Sequence, residues 1–355
     1  MAYIQKVVTA LPPVRLDQEQ VLAMGRRILK GRIPFVDQAL KLIANAGVEN
    51  RHLVRTPDEI LDNDTLSWRN EVYSESSIQL GGELMTRMFE SGVVAPEDVD
   101  LIITTSCTGF MIPSVDAYLI SRFRLRPDVK RLPITELGCA AGAMALSRAH
   151  DYLRAFPHHR VLILAIELPS LTYRTRDFRV ANLVSAALFG DGAAGVLLSS
   201  EPGPCRILDT RTHFFYDTPE MMGFDLSESG FKIILDKKIP GLVAEKFVEP
   251  ARAFVNDQPE FVTEGIQHHL FHPGGRRILD TLRDEFGLKE SQVAASRKVL
   301  AEVGNLSSAS VMWVLDEVLK TRPHGNGLMA AFGPGFNAEL LALRFHTSAN
   351  DVPRG

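Results

Sequence analysis

Two short motifs recur in the same order along this chain, and that duplication constrains the fold more than any other feature. Glu136-Leu-Gly-Cys-Ala-Ala-Gly142 leads into a helix-forming stretch, and so does Glu302-Val-Gly-Asn-Leu-Ser-Ser308. Phe189-Gly-Asp-Gly-Ala-Ala-Gly-Val-Leu-Leu198 likewise matches Phe332-Gly-Pro-Gly-Phe-Asn-Ala-Glu-Leu-Leu341, with about 23 more residues between the motifs of the first copy. Either pair alone is no more than shared turn chemistry, because Gly-x-Gly turns before aliphatic strands are common. Two pairs in one order predict a duplicated half. The 355 residues fit that reading, since about 150 residues make a typical domain.

Short apolar runs alternate with helix-length segments. Leu101–Thr105 (LIITT) and Val161–Ile166 (VLILAI) lack polar alternation, as strands buried on both faces do. Gly142–Ala155 between them has helical spacing. Strand, helix, strand predicts parallel pairing and an α/β fold. The stretch from Glu201 to Tyr216, opening with Glu-Pro-Gly-Pro, reads as the irregular boundary between halves 1–205 and 206–355.

Lys plus Arg is 39 against 43 Asp plus Glu, a formal charge of −4, which argues against a nucleic-acid binder. With 45% hydrophobic and 23% charged residues, the chain can bury a sizeable core. No apolar run approaches the roughly 18 residues of a membrane span, and the N-terminus lacks a signal-type apolar core, so a cytoplasmic compartment is expected. The three cysteines, Cys107, Cys139 and Cys205, are too few and odd in number for a disulfide framework.

Cys139 sits at the turn before a helix, among Gly138, Ala140, Ala141 and Gly142, which leave room for a ligand. A thiol there faces unsatisfied N–H groups and the positive helix pole, which favours thiolate and suits a nucleophile. The competing reading is a small buried hydrophobe. A nucleophilic cysteine needs a partner base, usually His. Of ten histidines, His272 stands out because Pro273-Gly-Gly275 ends its element abruptly beside an approachable backbone. The His268–His272 spacing would suit zinc on a helix, but the Pro-Gly-Gly argues against a helix, so no metal is expected. Asn305 holds the repeat position equivalent to Cys139. In a pseudo-twofold pair both helix starts point at one centre, where Asn305 supplies an amide donor for an oxyanion; its alternative role is a helix N-cap.

Leu-Gly-Cys139-Ala-Ala-Gly, His272-Pro-Gly-Gly, Gly-Asn305-Leu-Ser-Ser-Ala and Gly333-Pro-Gly-Phe, in this order, resemble the type III polyketide synthases of the chalcone and stilbene synthase family. Thr105-Ser-Cys-Thr-Gly-Phe-Met-Ile-Pro113 and Ala187-Leu-Phe-Gly-Asp-Gly-Ala193 resemble its bacterial branch, and the likeness runs from about residue 3 to residue 346. The resemblance implies a thiolase-like αβαβα five-layer sandwich of two duplicated halves, and a homodimer. It implies Cys139 as acyl carrier held as thiolate by His272, with His272 and Asn305 stabilising the enolate from malonyl-CoA. CoA thioesters are then the substrates, with no metal or organic cofactor.

By the same resemblance, Cys107, Thr172, Phe189, Phe224, Ile233 and Ser307 line the pocket, and Ile112 completes the neighbouring subunit's cavity. Ile233 replaces a family phenylalanine, and Phe224 blocks a space that is open in plant enzymes. These changes imply an apolar tunnel for a fatty acyl starter, since each buried methylene is worth about 0.8 kcal/mol, with an alkylpyrone or alkylresorcinol as product. Lys41, Arg276 and Arg277 are the candidate cations for CoA phosphates; the two arginines read equally well as a solvated pair. The alternatives are a malonyl-primed tetrahydroxynaphthalene synthase type, a ketoacyl synthase III-like or hydroxymethylglutaryl-CoA synthase-like enzyme, a cysteine hydrolase, and a non-catalytic thiolase-fold partner. The hydroxymethylglutaryl type needs a catalytic glutamate, and Glu136 reads as part of a strand. Retention of Cys139, His272 and Asn305 argues against the non-catalytic reading.

Overall fold

The computed structural model describes residues 1–227 and 230–346. Its strands are β1 (Ala2–Ala10), a ribbon of β2 (Val14–Asp17) and β3 (Asn50–Leu53), β4 (Leu101–Thr105), β5 (Lys130–Ile134), β6 (Val161–Glu167), β7 (Gly192–Ser199), β8 (Cys205–Phe214), a hairpin of β9 (Met222–Ser227) and β10 (Gly230–Leu235), β11 (His268–Phe271), β12 (Gly325–Gly333) and β13 (Asn337–Phe345). Nine of them join in the order β11-β12-β13-β8-β1-β7-β6-β4-β5.

The duplication is visible in that order. Outward from the centre, β1-β7-β6-β4 is matched by β8-β13-β12-β11, and β1 meets β8 antiparallel only through Ala2–Ile4 against Cys205–Ile207. In each half the two strands farther out are parallel and the next pairing inward is antiparallel: β4 with β6 and β11 with β12, then β6 with β7 and β12 with β13. The symmetry breaks at β5. The second copy has the helix Ala294–Val303 ahead of its motif, where the first has that strand.

Burial on alternate faces builds the layers, because successive side chains of a strand point to opposite sides. Leu101 and Ile103 of β4, with Val161, Ile163 and Ala165 of β6, enter a central core shared with Met329, Leu341 and Leu343 of the second half. The helices Ala141–Ala155 and Ser310–Lys320 fill that core with Ala143, Leu146, Ala149, Val311, Val314 and Leu315. The intervening residues Ile102, Leu162, Leu164 and Ile166 face outward against the helix Leu66–Glu90. Leu328, Ala330, Leu340 and Ala342 do the same on the other side, under an outer helical layer. Helices, strands, two central helices, strands and helices make five layers, the thiolase-like sandwich.

The two central helices begin against each other. A Cβ on Gly142 would lie 2.0 Å from the Ser308 carbonyl oxygen, so only glycine permits this approach.

The segment expected to be an irregular boundary is ordered differently. Cys205 opens the ten-residue strand β8, whose pairing with β13 runs from Cys205–Phe345 to Phe214–Asn337. Its polar half-buried side alternates too weakly to read as a strand. Glu136 lies in a turn rather than a strand, whereas His268 lies on strand β11, in keeping with the argument against a helix before Pro273-Gly-Gly275. Among the described residues, no helix is long and apolar enough to cross a membrane, and no group of three or more His, Cys, Asp or Glu is placed to hold a metal.

Candidate active site

The carboxyl ends of the parallel pair β4 and β6 in the first half and of β11 in the second, which runs the opposite way, converge; strand carboxyl ends are the usual place for ligand sites in α/β sheets. The chain after β4 brings Cys107, the end of β6 brings Glu167, and the chain after β11 brings His272. The two central helix starts add Cys139 and Asn305. Cys139 lies on the single 3-10 turn Gly138–Ala140 that precedes the helix Ala141–Ala155, whose first turn has no side-chain cap. Gly138, at φ +48°, packs against Pro334, and Gly333 packs against Ala140, so the closing Gly-Pro-Gly of one half seats the cysteine turn of the other.

Of these side chains, Cys107, Cys139, His272 and Asn305 open into one cavity of about 890 Å³. Cys139, His272 and Asn305 all line it, as do Cys107, Thr172, Phe189, Phe224, Ile233 and Ser307. Most of the remaining wall is apolar, including Val184, Leu188, Leu235, Ile239 and Phe332. Arg276 and Arg277 line its mouth at the start of the helix Arg276–Glu285, joined by Lys237, which the sequence reading did not single out.

Two expected residues lie elsewhere. Ile112 is fully exposed and outside the cavity of its own chain, on the loop after β4. Lys41 is exposed on its helix and does not line the cavity; its neighbours Leu42, Asn45 and Ala46 do, because the helix turns Lys41 toward solvent.

Asn305 is oriented by its oxygen. Its Oδ1 accepts from the Ser307 N–H at 2.8 Å and the Ser310 hydroxyl at 3.2 Å, leaving the amide N–H₂ for the cavity and the Cys139 sulfur. Its backbone is fixed against the Phe189 segment by Asn305 N–H to Leu188 O at 2.8 Å and Gly190 N–H to Asn305 O at 3.1 Å. The guanidinium of Arg51 completes this corner. It donates to the carbonyls of Ala186, Ala187 and Phe189, at the end of the helix Val180–Leu188, where unpaired C=O groups carry negative charge. Phe189 and Asn305 are thus held by one hydrogen-bonded seam.

His272 is placed by its backbone N–H on Ala330 O at 2.8 Å, and the Pro-Gly-Gly turn follows at once. Its ring is buried, and neither ring nitrogen has a protein partner. Burial pushes its pKa down to about 3, so the imidazole is neutral at pH 7. Burial also pushes the Cys139 thiol up to about 12; hydrogen bonds from Ser307 and Asn305 pull the other way, and the Glu167 charge adds to the rise. Burial thus opposes the thiolate that the helix start favours.

Glu167 escaped the sequence reading. It is wholly buried, and its carboxyl accepts from the Ser308 hydroxyl at 2.5 Å, the Cys107 N–H at 3.1 Å and the Thr108 hydroxyl at 3.1 Å. Burial raises its pKa, and these donors offset part of the rise. It ties the Cys107 loop to the Ser307–Ser308 turn. There the Ser307 hydroxyl lies 3.4 Å from the Cys107 sulfur and 3.6 Å from that of Cys139. The available signal was an acid directly ending a wholly apolar strand, VLILAIE.

Comparisons with known proteins agree over the length of the chain. Residues 2–202 match the family model for the N-terminal domain of chalcone and stilbene synthases, and residues 207–347 match that for the C-terminal domain. A 1,3,6,8-tetrahydroxynaphthalene synthase of Streptomyces griseus is 33% identical over 96% of this chain and 92% of its own. A phloroglucinol synthase of Pseudomonas fluorescens is 35% identical over 86% of this chain and 89% of its own. The crystal structure of the tetrahydroxynaphthalene synthase of Streptomyces coelicolor, a bacterial type III polyketide synthase, superposes with a TM-score of 0.92 at 31% identity, covering 97% of this chain and 99% of that one.

Proposed function

This chain belongs to the chalcone and stilbene synthase family of type III polyketide synthases, acyltransferases that condense malonyl-CoA units, and on that premise we propose that it extends a fatty acyl-CoA starter on Cys139 and cyclises the product to an alkylpyrone or alkylresorcinol. The observation that carries this reading is the one cavity, apolar over most of its wall, into which Cys139, His272 and Asn305 all open. A flexible acyl chain gains about 0.8 kcal/mol for each methylene buried against such a wall.

In this mechanism the Cys139 thiol gives its proton to a free nitrogen of His272 as its sulfur attacks the starter thioester, and CoA leaves as a thiolate that takes up a proton. Malonyl-CoA then loses carbon dioxide, and the enolate oxygen receives hydrogen bonds from His272 and the Asn305 amide. Fixed donors of this kind are worth about 3 kcal/mol each in the transition state. The enolate carbon attacks the Cys139 thioester, forming a carbon–carbon bond and releasing the Cys139 sulfur for the next cycle. Loss of carbon dioxide drives the condensation without a metal or organic redox cofactor. Arg276, Arg277 and Lys237 at the mouth suit the CoA phosphates.

The working form is a homodimer in the cytoplasm. The edge strand β5 is solvent-exposed on nearly every residue, and Ile112 stands fully exposed where a second subunit would take it up. A second reading, a malonyl-primed synthase of the tetrahydroxynaphthalene or phloroglucinol type, is favoured by the similarity to enzymes of those names.

The deciding experiment incubates the protein with malonyl-CoA and acyl-CoA starters from acetyl to stearoyl, with mass spectrometry of the products. Fatty acyl pyrones or resorcinols support the first reading, and an aromatic product from malonyl-CoA alone supports the second. Neither condensation nor decarboxylation of malonyl-CoA would overturn both.

A further inference from the structure

The ring of Phe224 forms part of the cavity wall, and other aromatic rings hold it from behind. On the hairpin, Phe224 of β9 faces Ile233 of β10, and Phe231 faces Leu226 two residues away. Phe231 meets Phe224 edge-on, with ring centroids 5.4 Å apart and an interplanar angle of 71°. Phe231 also stacks on Phe110, again at 5.4 Å but at 25°. Neither Phe231 nor Phe110 lines the cavity.

Phe110 comes from a distant part of the chain. It lies on the loop after β4 that also places Cys107 in the cavity wall, and this loop is firmly anchored. The Phe110 N–H donates to Asn70 Oδ1 at 2.7 Å, and the Asn70 amide returns a bond to Phe110 O at 2.8 Å. Gly109 lies flat on the Tyr73 ring, where a Cβ would come within 2.2 Å of it. One anchored loop therefore contributes a thiol to one wall and, through two rings, supports another.

We propose that Phe231, backed by Phe110, is a positioning residue for Phe224 and thereby sets how many two-carbon units are added before the polyketide cyclises. The proposal rests on the polyketide synthase reading above. Its logic is steric. The Phe224 ring excludes volume from the cavity only while it stays in its present rotamer, and an edge-to-face partner biases that rotamer. Truncating Phe231 opens a space behind the wall, the Phe224 ring turns into it, and the cavity gains room for a longer chain. Phe231→Ala then has the same effect as Phe224→Ala, although Phe231 touches no substrate.

The test uses the full chain with hexanoyl-CoA and malonyl-CoA, and reads the ratio of longer to shorter polyketides by mass spectrometry. Phe231→Ala is expected to raise that ratio about threefold to tenfold, the range that an aromatic pair of ordinary strength allows. Phe224→Ala moves it the same way, the double variant exceeds neither single by more than measurement error, and Phe231→Tyr, which keeps the ring, stays at the wild-type ratio. Phe110→Ala alters a half-exposed residue and shifts the ratio in the same direction, which keeps the test open if Phe231→Ala does not fold. A merely structural Phe231 would lower total turnover and leave the ratio unchanged, and that result overturns the proposal. Additive effects of Phe224→Ala and Phe231→Ala overturn it too. A wild-type enzyme that makes no polyketide overturns the underlying reading instead, and this proposal with it.

Discussion

Cys139 and His272 share a cavity, and burial moves their pKa values in opposite directions. The thiol goes up to about 12 and the imidazole down to about 3, each toward its neutral form. Between pH 7 and 9 the thiolate fraction of Cys139 then rises about tenfold per pH unit, because the pH stays below the raised pKa throughout. His272 stays neutral over the same range and adds no slope of its own. Alkylation of Cys139 by iodoacetamide, followed by peptide mass spectrometry, is expected to accelerate by that factor. A rate already flat from about pH 6 would mean a stored thiolate and contradict the proton hand-over to His272. Cys107 titrates above its ordinary value for the same reason, led by burial and then by the Glu167 charge, so the slope at Cys107 follows the same sign.

The two central helices bring the reacting groups together, and their starts leave no spare space. Gly142→Ala would drive a methyl group to 2.0 Å from the Ser308 carbonyl, a backbone atom that cannot swing aside. The expected cost is about 3 kcal/mol, at the upper end of overpacking, and urea unfolding measures it. An unchanged midpoint would show that the helix starts are not rigidly joined. The sequence revealed these two starts because a duplicated motif, Gly-Cys139-Ala-Ala and Gly-Asn305-Leu-Ser, marks equivalent positions. It also revealed β4 and β6, whose runs are apolar on both faces. It hid β8, whose half-polar pattern follows from one exposed side, and it hid Glu167 and Arg51. A buried acid satisfied by Ser308, Cys107 and Thr108, or a buried guanidinium satisfied by three carbonyls, depends on partners 59 to 141 residues away. No local pattern announces such partners.

As a whole molecule, the protein is one half repeated and then specialised. The first copy keeps a cysteine at its helix start and the second an asparagine, so a pseudo-symmetric scaffold yields an asymmetric site. His272 enters from the end of β11, whose counterpart in the first half, β4, leads instead to Cys107 and the loop that ends at the exposed Ile112. The division of labour between Cys139, as acyl carrier, and His272 with Asn305, as enolate stabilisers, is the central claim of this account. The most direct measurement pairs intact-protein mass spectrometry with release of carbon dioxide from malonyl-CoA, in wild type and Cys139→Ala. The account predicts an acyl adduct on wild type that is absent from Cys139→Ala, while the variant still decarboxylates malonyl-CoA at a reduced rate. An acyl adduct that persists in Cys139→Ala, or complete loss of decarboxylation in a folded variant, would contradict it.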